Sequence, residues 1–242
     1  MGAEGVRGVL FDAGNTLIRV RGSVGRVYAR VARRHGVEAD GPALDRAFRA
    51  AFAQRKGSFL AGVTRPHSPE RERAWWKALV RDVLRRTGAW AAAEARFDAL
   101  FEELYAAFAE PEPWEVFPDV LPCLDALDAA GVPVAVVSNW DSRLRRVLAG
   151  TGLLGRFRFV LTSAEFGAEK PDPSIFLEAA RRLGMAPAEI LHAGDLIRDD
   201  VLGARRAGMR AVLVDRDLTA PDGWHRVRDL REIPALVSGP GG

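Results

Sequence analysis

Gly8-Val9-Leu10-Phe11-Asp12-Ala13-Gly14-Asn15-Thr16-Leu17 is the stretch on which the reading of the chain turns. Four apolar residues run without alternation and stop at a carboxylate. A short continuous apolar run is what a strand buried on both faces looks like. Asp12 then stands where strand gives way to turn. Alone, an aspartate there is commonly only a turn or helix cap. Further along, the arrangement recurs. Residues 132–137 (Val-Pro-Val-Ala-Val-Val) lead into Ser138-Asn139-Trp140-Asp141, and Ile190-Leu191-His192-Ala193 leads into Gly194-Asp195 and then Asp199-Asp200. Residues 157–161 and 211–214 are further strand candidates. Helical patterns lie between them at 120–130, 143–153, 174–183 and 200–207. Strands alternating with helices predict an α/β fold, a doubly wound parallel sheet covered on both faces. Right-handed crossovers bring the polar strand ends to one edge, where such sheets bind ligands.

Residues 21–113 read differently. They hold no strand run, and the segments 24–35, 42–52, 69–86 and 91–108 are helix-like, with breaks at Gly36, at 57–66 and at Gly88. The expectation is an all-helical cap domain over 21–113, inserted into a core domain made of 1–20 and 114–242. A loop at 19–22 and the Pro111-Glu112-Pro113 hinge would bound it. Trp75, Trp76, Trp90 and Trp114 cluster in or beside this insertion. Aromatics so spaced are ordinarily core; facing the sheet edge, one or two would instead line a substrate pocket.

Composition narrows the class. Of 242 residues, 48% are hydrophobic and 28% charged, enough for a packed core and too apolar for wholesale disorder. No run reaches the roughly 18 uncharged apolar residues of a membrane span. Residues 1–7 offer no apolar signal-peptide core, so a cytoplasmic protein is expected. Cys123 is the only cysteine, which excludes an intrachain disulfide and a cysteine metal site. The net charge of +3 is small, and the arginines are interspersed with acids along helices. That pattern gives solvated faces, not a nucleic-acid patch. The expected partner is a small molecule, bound by a monomer or homodimer.

The choice of cation carries information. Of 35 Lys and Arg residues, only Lys56, Lys77 and Lys170 are lysine. A chain that writes arginine almost everywhere has placed a compact ammonium beside Pro171-Asp172-Pro173, where arginine would offer a wide planar fork. Downstream, Asp195, Asp199 and Asp200 crowd three carboxylates together. Such groups repel unless solvated or shared by a cation such as magnesium, although acids also favour the first turn of a helix.

Taken together, these segments resemble the haloacid dehalogenase-like (HAD) hydrolase superfamily. Phe11-Asp12-x-x-x-Thr16-Leu17 is similar to its first motif, Ser138-Asn139 to its second, Lys170-Pro171-Asp172-Pro173 to its third, and Gly194-Asp195 with Asp199-Asp200 to its fourth. The stretch Arg21-x-x-Val24-Gly25-x-x-Tyr28-Ala29 resembles a subgroup, the HAD-like hydrolase-domain-containing proteins, that lacks the second aspartate of the first motif. The resemblance implies a Rossmann-like core, and a magnesium-dependent phosphatase acting on a small phosphorylated metabolite through an aspartyl-phosphate. It makes Asp12 the nucleophile and a Mg²⁺ ligand, and the Gly14 carbonyl, Asp195 and Asp199 or Asp200 further ligands. Thr16, Ser138, Asn139 and Lys170 would bind the phosphoryl group, Lys170 also neutralising charge on Asp12.

Gly14 departs from the superfamily pattern. Glycine can lend a carbonyl to a metal but cannot protonate a leaving alkoxide, help typically worth about 10²–10⁴-fold. Acyl and aryl phosphates, with good leaving groups, need that acid least. Tyr28, His35 and His67 are candidate substitutes for it. Two alternatives follow. A 2-haloacid dehalogenase-type enzyme would dispense with metal, but that group carries tyrosine where this chain has Gly14 and Phe176, and it lacks the acidic cluster. The other is a catalytically weak HAD fold kept for binding. A route through a cap lysine imine would need Lys56 or Lys77 at the site.

Overall fold

The structure, a computed structural model, describes residues 5–55 and 68–237. Its frame is a six-stranded parallel sheet in the order β5-β4-β1-β6-β7-β8. The strands are β1 (Gly8–Phe11), β4 (Val134–Ser138), β5 (Val160–Thr162), β6 (Ile190–Gly194), β7 (Arg210–Val214) and β8 (Arg226–Val227). β1 is central, and all four of its residues are buried. Alternate residues feed opposite faces, as a two-residue period requires. Val9 and Phe11 join one apolar cluster with Val134 and Val136. Leu10 joins another with Ala135 and Val137. Burying a side chain such as Phe11 or Leu10 contributes about 1.5–3 kcal/mol, so the unbroken apolar run is itself the reason β1 lies mid-sheet.

A two-stranded antiparallel ribbon, β2 (Ile18–Val20) with β3 (Trp114–Val116), marks where the chain leaves the sheet and returns. Between these strands lie α1 (Val24–Arg34), α2 (Gly41–Arg55), α3 (Pro69–Arg86), α4 (Trp90–Ala93) and α5 (Phe97–Ala107). Local chemistry starts and stops them. Ser23 caps α1 through the Arg26 N–H, and Ser68 caps α3 with Pro69 at its first position. Their inward side chains, among them Tyr28, Leu79, Phe97 and Phe101, form a third apolar cluster apart from the sheet's two.

The remaining helices flank the sheet: α6 (Val120–Ala129), α7 (Leu144–Gly150), α8 (Ser163–Phe166), α9 (Pro173–Leu183) and α10 (Gly203–Arg206). Three features differ from the sequence reading. First, the helix expected over 91–108 is broken by a 3₁₀ turn at Glu94–Arg96. In a continuous helix Trp90 and Phe97 would stand about 10 Å apart along the axis; the break lets their rings meet edge-on at 5.0 Å. Second, residues 197–202 form a π-helical turn ahead of α10, overlapping the start of the ordinary helix expected over 200–207. Third, β8 and the β2–β3 ribbon were not anticipated. They are two or three residues long, and β2 and β3 each carry a charged residue, so no apolar run signals them.

Candidate active site

Asp12, Ser138 and Asp195 come from the C-terminal ends of three neighbouring strands, β1, β4 and β6. The Ser138 hydroxyl donates to Asp12 Oδ1 at 2.8 Å. Lys170, just ahead of α9, reaches in from the side. Its Nζ donates to the same Asp12 oxygen at 2.7 Å, to the Val137 carbonyl at 3.0 Å and to Asp200 Oδ1 at 2.5 Å. An ammonium has three protons, and each has an acceptor. Burial opposes its charge, but Asp12 and Asp200 outweigh burial and raise the Lys170 pKa. Burial pushes the Asp12 carboxyl up, and Lys170 and Ser138 pull against that rise.

Asn139 explains how Lys170 is held. Its Oδ1 accepts from the Lys170 backbone N–H at 2.7 Å and its Nδ2 donates to the Lys170 carbonyl at 2.8 Å. The side chain expected on a phosphoryl group is instead a clamp on the backbone of the lysine. Thr16 is also placed differently from its expected role on substrate: it is fully buried, and its hydroxyl is sealed off without a hydrogen-bond partner.

The π-turn settles which acidic neighbour turns inward. Asp200 Oδ2 accepts from the Leu196 N–H at 2.9 Å while the Asp200 N–H donates to the Leu196 carbonyl at 2.8 Å. Its carboxyl lies tight against Gly194, where an added Cβ would sit 2.3 Å from Asp200 Cγ. Only glycine permits that approach. On the other side His192 Nε2 donates to Asp200 Oδ1 at 2.9 Å. Burial would raise the Asp200 carboxyl, but Lys170 and His192 outweigh it and hold it below the carboxylate range. His192 itself is kept neutral by burial. Asp199 is buried, stands outside this cluster of carboxyl groups and lies in the wall of the cleft that Lys170 also lines.

Asp12, Asp195 and Asp200 offer one oxygen each within 4.8 Å of one another. Three carboxyl groups face one ammonium, so ionising all of them would leave two negative charges close together. Burial, with Asp12 and Asp200 nearby, pushes the Asp195 carboxyl up to about 8. An all-oxygen, doubly negative set suits a small hard divalent cation such as Mg²⁺. Gly14 follows in the same loop. Its backbone lies outside the left-handed region, which Asn15 occupies at φ 57°. A Cβ on Gly14 would stand 3.2 Å from Trp140 Cζ3.

The inserted helices meet this edge of the sheet. Trp76 Nε1 donates to Asp141 Oδ2 at 2.6 Å, and the Ser142 hydroxyl to Glu72 Oε2 at 2.7 Å. Arg143 pairs with Asp141 at 2.6 Å and donates to the Tyr105 carbonyl at 3.2 Å. Tyr28 packs among Phe48 and Phe108, and His35 pairs with Glu103 at 2.9 Å. Lys77 pairs with Asp98 at 2.8 Å. His67 and Lys56 lie outside the described residues.

The family profile of haloacid dehalogenase-like hydrolases matches residues 6–208. The chain belongs to that family. It is 38% identical over 238 residues to haloacid dehalogenase-like hydrolase domain-containing protein 3 of Danio rerio, covering 96% of each chain. Among solved structures, a HAD phosphatase from Thermococcus onnurineus is 25% identical with a TM-score of 0.67, over 97% of this chain and 99% of that one. A defluorinating L-2-haloacid dehalogenase has the same fold, with a TM-score of 0.79 at 24% identity, over 96% of this chain and 95% of that one. Membership of the family makes the chain a hydrolase. Because the fold carries both phosphatases and dehalogenases, the side chains must separate them.

His192, Trp140 and Arg216 escaped the sequence reading. Arg216 donates to the Thr16 carbonyl and to Asp119, both at 2.7 Å, pinning the loop after Asp12 from the end of β7. His192 carried the one available signal, a polar residue inside an apolar strand run. Replacing Lys170 tests the core of the arrangement. Lys170→Arg is expected to lower kcat by about 10²–10³-fold, as for a lost transition-state donor. A planar guanidinium cannot meet three acceptors that converge on one nitrogen. Steady-state kinetics beside a thermal melt checks this; wild-type turnover would reduce Lys170 to a loop cation.

Proposed function

We propose that the protein is a Mg²⁺-dependent phosphatase of small phosphorylated molecules in the cytoplasm, with Asp12 as nucleophile. The observation that carries this reading is the approach of Asp12, Asp195 and Asp200 to within 4.8 Å of one another, with Lys170 paired to Asp12 and Asp200. A metal-free dehalogenase has no use for that surplus of negative charge. Asp12, Asp195 and Asp200 would hold the ion, with the Gly14 carbonyl beside them. Bound there, it would screen the phosphate from the carboxylates and stabilise charge on the transferring group. Ser138 and Lys170 both bond Asp12 Oδ1, which leaves Oδ2 to attack phosphorus. The attack forms the Asp12–phosphorus bond as the ester oxygen departs; water then breaks that bond and restores the carboxylate.

The deciding experiment is a screen of phosphate esters and 2-haloacids, with and without Mg²⁺. Phosphate release that needs Mg²⁺ supports the reading. Halide release without metal would replace it with dehalogenation, and no turnover of either would leave a binding protein.

The metal reading also fixes a pH dependence. The Asp195 carboxyl is raised to about 8 in the folded state from its ordinary value of 3.8. Between those values the folded chain holds a proton that the unfolded chain has lost. Stability of the metal-free protein is therefore expected to fall as pH rises through this window. Mg²⁺ removes the repulsion, so the Tm gain on adding it should be larger at pH 8 than at pH 5.5. Thermal melts with Mg²⁺ and with EDTA measure both. A gain independent of pH, or none with a phosphate analogue present, would contradict a metal at Asp195.

A further inference from the structure

Resting on the phosphatase reading above, we propose that the substrate is a monocyclic aryl phosphate, its single aromatic ring held in the cleft beside Lys170. Two independent observations lead there.

The first is the wall of the cleft. Phe52, Trp75 and Trp76 from the inserted helices face Trp140, Pro171 and Leu196 from the sheet edge. Phe52 stacks on Trp76 at 6.3 Å and 29°, and Trp75 meets Trp76 edge-on at 4.9 Å. Trp76 is further tied by its hydrogen bond to Asp141. The rings are thus fixed before any ligand arrives, and little side-chain freedom is left to lose on binding. Phe52 and Leu196, both lining the cleft, remain 38% and 42% exposed. A rimmed apolar patch continuous with a phosphate site is what a ligand's ring covers. The cleft holds about 190 Å³. An apolar cavity of about 150 Å³ takes one benzene, so a single ring fits.

The second is the leaving-group side of Asp12. Where the superfamily pattern has a carboxylic acid, this chain has Gly14 with the Trp140 indole edge against it. A leaving oxygen therefore departs past an aromatic edge. A phenol, with a pKa of about 10, leaves as phenolate far more readily than an alkoxide, whose conjugate acid lies near that of water at about 15.7. The ring the cleft accepts is also the group that makes the missing acid dispensable. In the step, the Asp12 oxygen–phosphorus bond forms, the phosphorus–aryl oxygen bond breaks, and the electron pair leaves on the phenolate. Water then attacks phosphorus, the Asp12 oxygen–phosphorus bond breaks with its electron pair returning to the carboxylate, and the protons of water go to phosphate and phenolate, giving inorganic phosphate and the free phenol.

The test compares phenyl phosphate with acetyl phosphate in the presence of Mg²⁺. Acetyl phosphate has the better leaving group and no ring. The wild type is expected to show the higher kcat/KM on phenyl phosphate despite that handicap. Phe52→Ala, at a surface position, should lower the phenyl-to-acetyl ratio of kcat/KM by about tenfold, mainly through KM, the size of a lost aromatic pair. A ratio unchanged by Phe52→Ala would overturn the proposal. So would equal rates on phenyl and simple alkyl phosphates, which would show that Asp199 or Glu169, on the same cleft wall, already donates a proton. Turnover of acetyl phosphate alone sinks the aryl assignment and leaves the phosphatase reading standing. Turnover of neither sinks both.

Discussion

Asp12→Asn is expected to reduce phosphate-ester turnover by roughly 10⁴–10⁶-fold, the range seen when a covalent nucleophile is removed. The amide keeps an oxygen for the Ser138 and Lys170 bonds, so the geometry at Oδ1 survives. What is lost is the charge and the nucleophile. The loss has a second consequence, because Lys170 is buried and, among the described residues, its remaining ion pair is with Asp200. Breaking one arm of a buried ion pair costs about 3–5 kcal/mol, and the remaining arm offsets part of that. The variant should therefore be inactive and folded, with a lower Tm, as circular dichroism and a melt would record. Residual turnover within tenfold of wild type would mean that water attacks the substrate directly and Asp12 only positions it.

Gly14→Asp is the second large effect, and it runs in the opposite direction. A carboxylic acid in this loop is expected to raise kcat on alkyl phosphates by about 10²-fold or more, the lower end of general acid catalysis. On aryl phosphates the gain should be small in the first step, because phenolate needs no proton to leave. The backbone allows the change, since Gly14 is not in the left-handed region. The contact that must yield is Trp140 Cζ3, at 3.2 Å from the new Cβ, a shift of a few tenths of an ångström. The second step gives a further readout. With glycine at position 14, which cannot activate water, the wild type should release a burst of phenol before settling to a slower steady rate. Gly14→Asp should shorten or remove that burst. Equal stimulation of alkyl and aryl substrates would show that the new carboxylate acts on something other than leaving-group protonation.

Much of this was legible in the chain, for identifiable reasons. The central strands read clearly because a strand covered on both faces must be apolar at every position, as β1 and β6 nearly are. Lys170 stood out because the chain otherwise prefers arginine, and in the fold it is an ammonium with three acceptors, a role arginine cannot fill. Other features lie beyond sequence pattern. Whether Asp199 or Asp200 turns inward depends on a π-turn that Asp200 itself stabilises through the Leu196 backbone. Asn139 and Ser138 are adjacent and both polar, yet the pleat of β4 and the turn after it send one hydroxyl to Asp12 and one amide to the Lys170 backbone. The tryptophans take places that composition cannot see: Trp75, Trp76 and Trp90 all pack against the core of the inserted helices, and Trp75 and Trp76 also wall the cleft with Trp140. The antiparallel ribbon at Ile18–Val20 and Trp114–Val116 is three residues per strand, too short for any periodicity to register.

The central claim is a covalent phosphoryl group on Asp12. The direct measurement is rapid acid quench of the enzyme turning over phenyl phosphate, followed by mass spectrometry of the peptide containing Asp12. The account predicts a phosphoryl adduct on Asp12 that forms only with Mg²⁺, accumulates with the phenol burst, and is absent in Asp12→Asn. Phosphate release with no adduct at any quench time, or an equal adduct in the presence of EDTA, would contradict it.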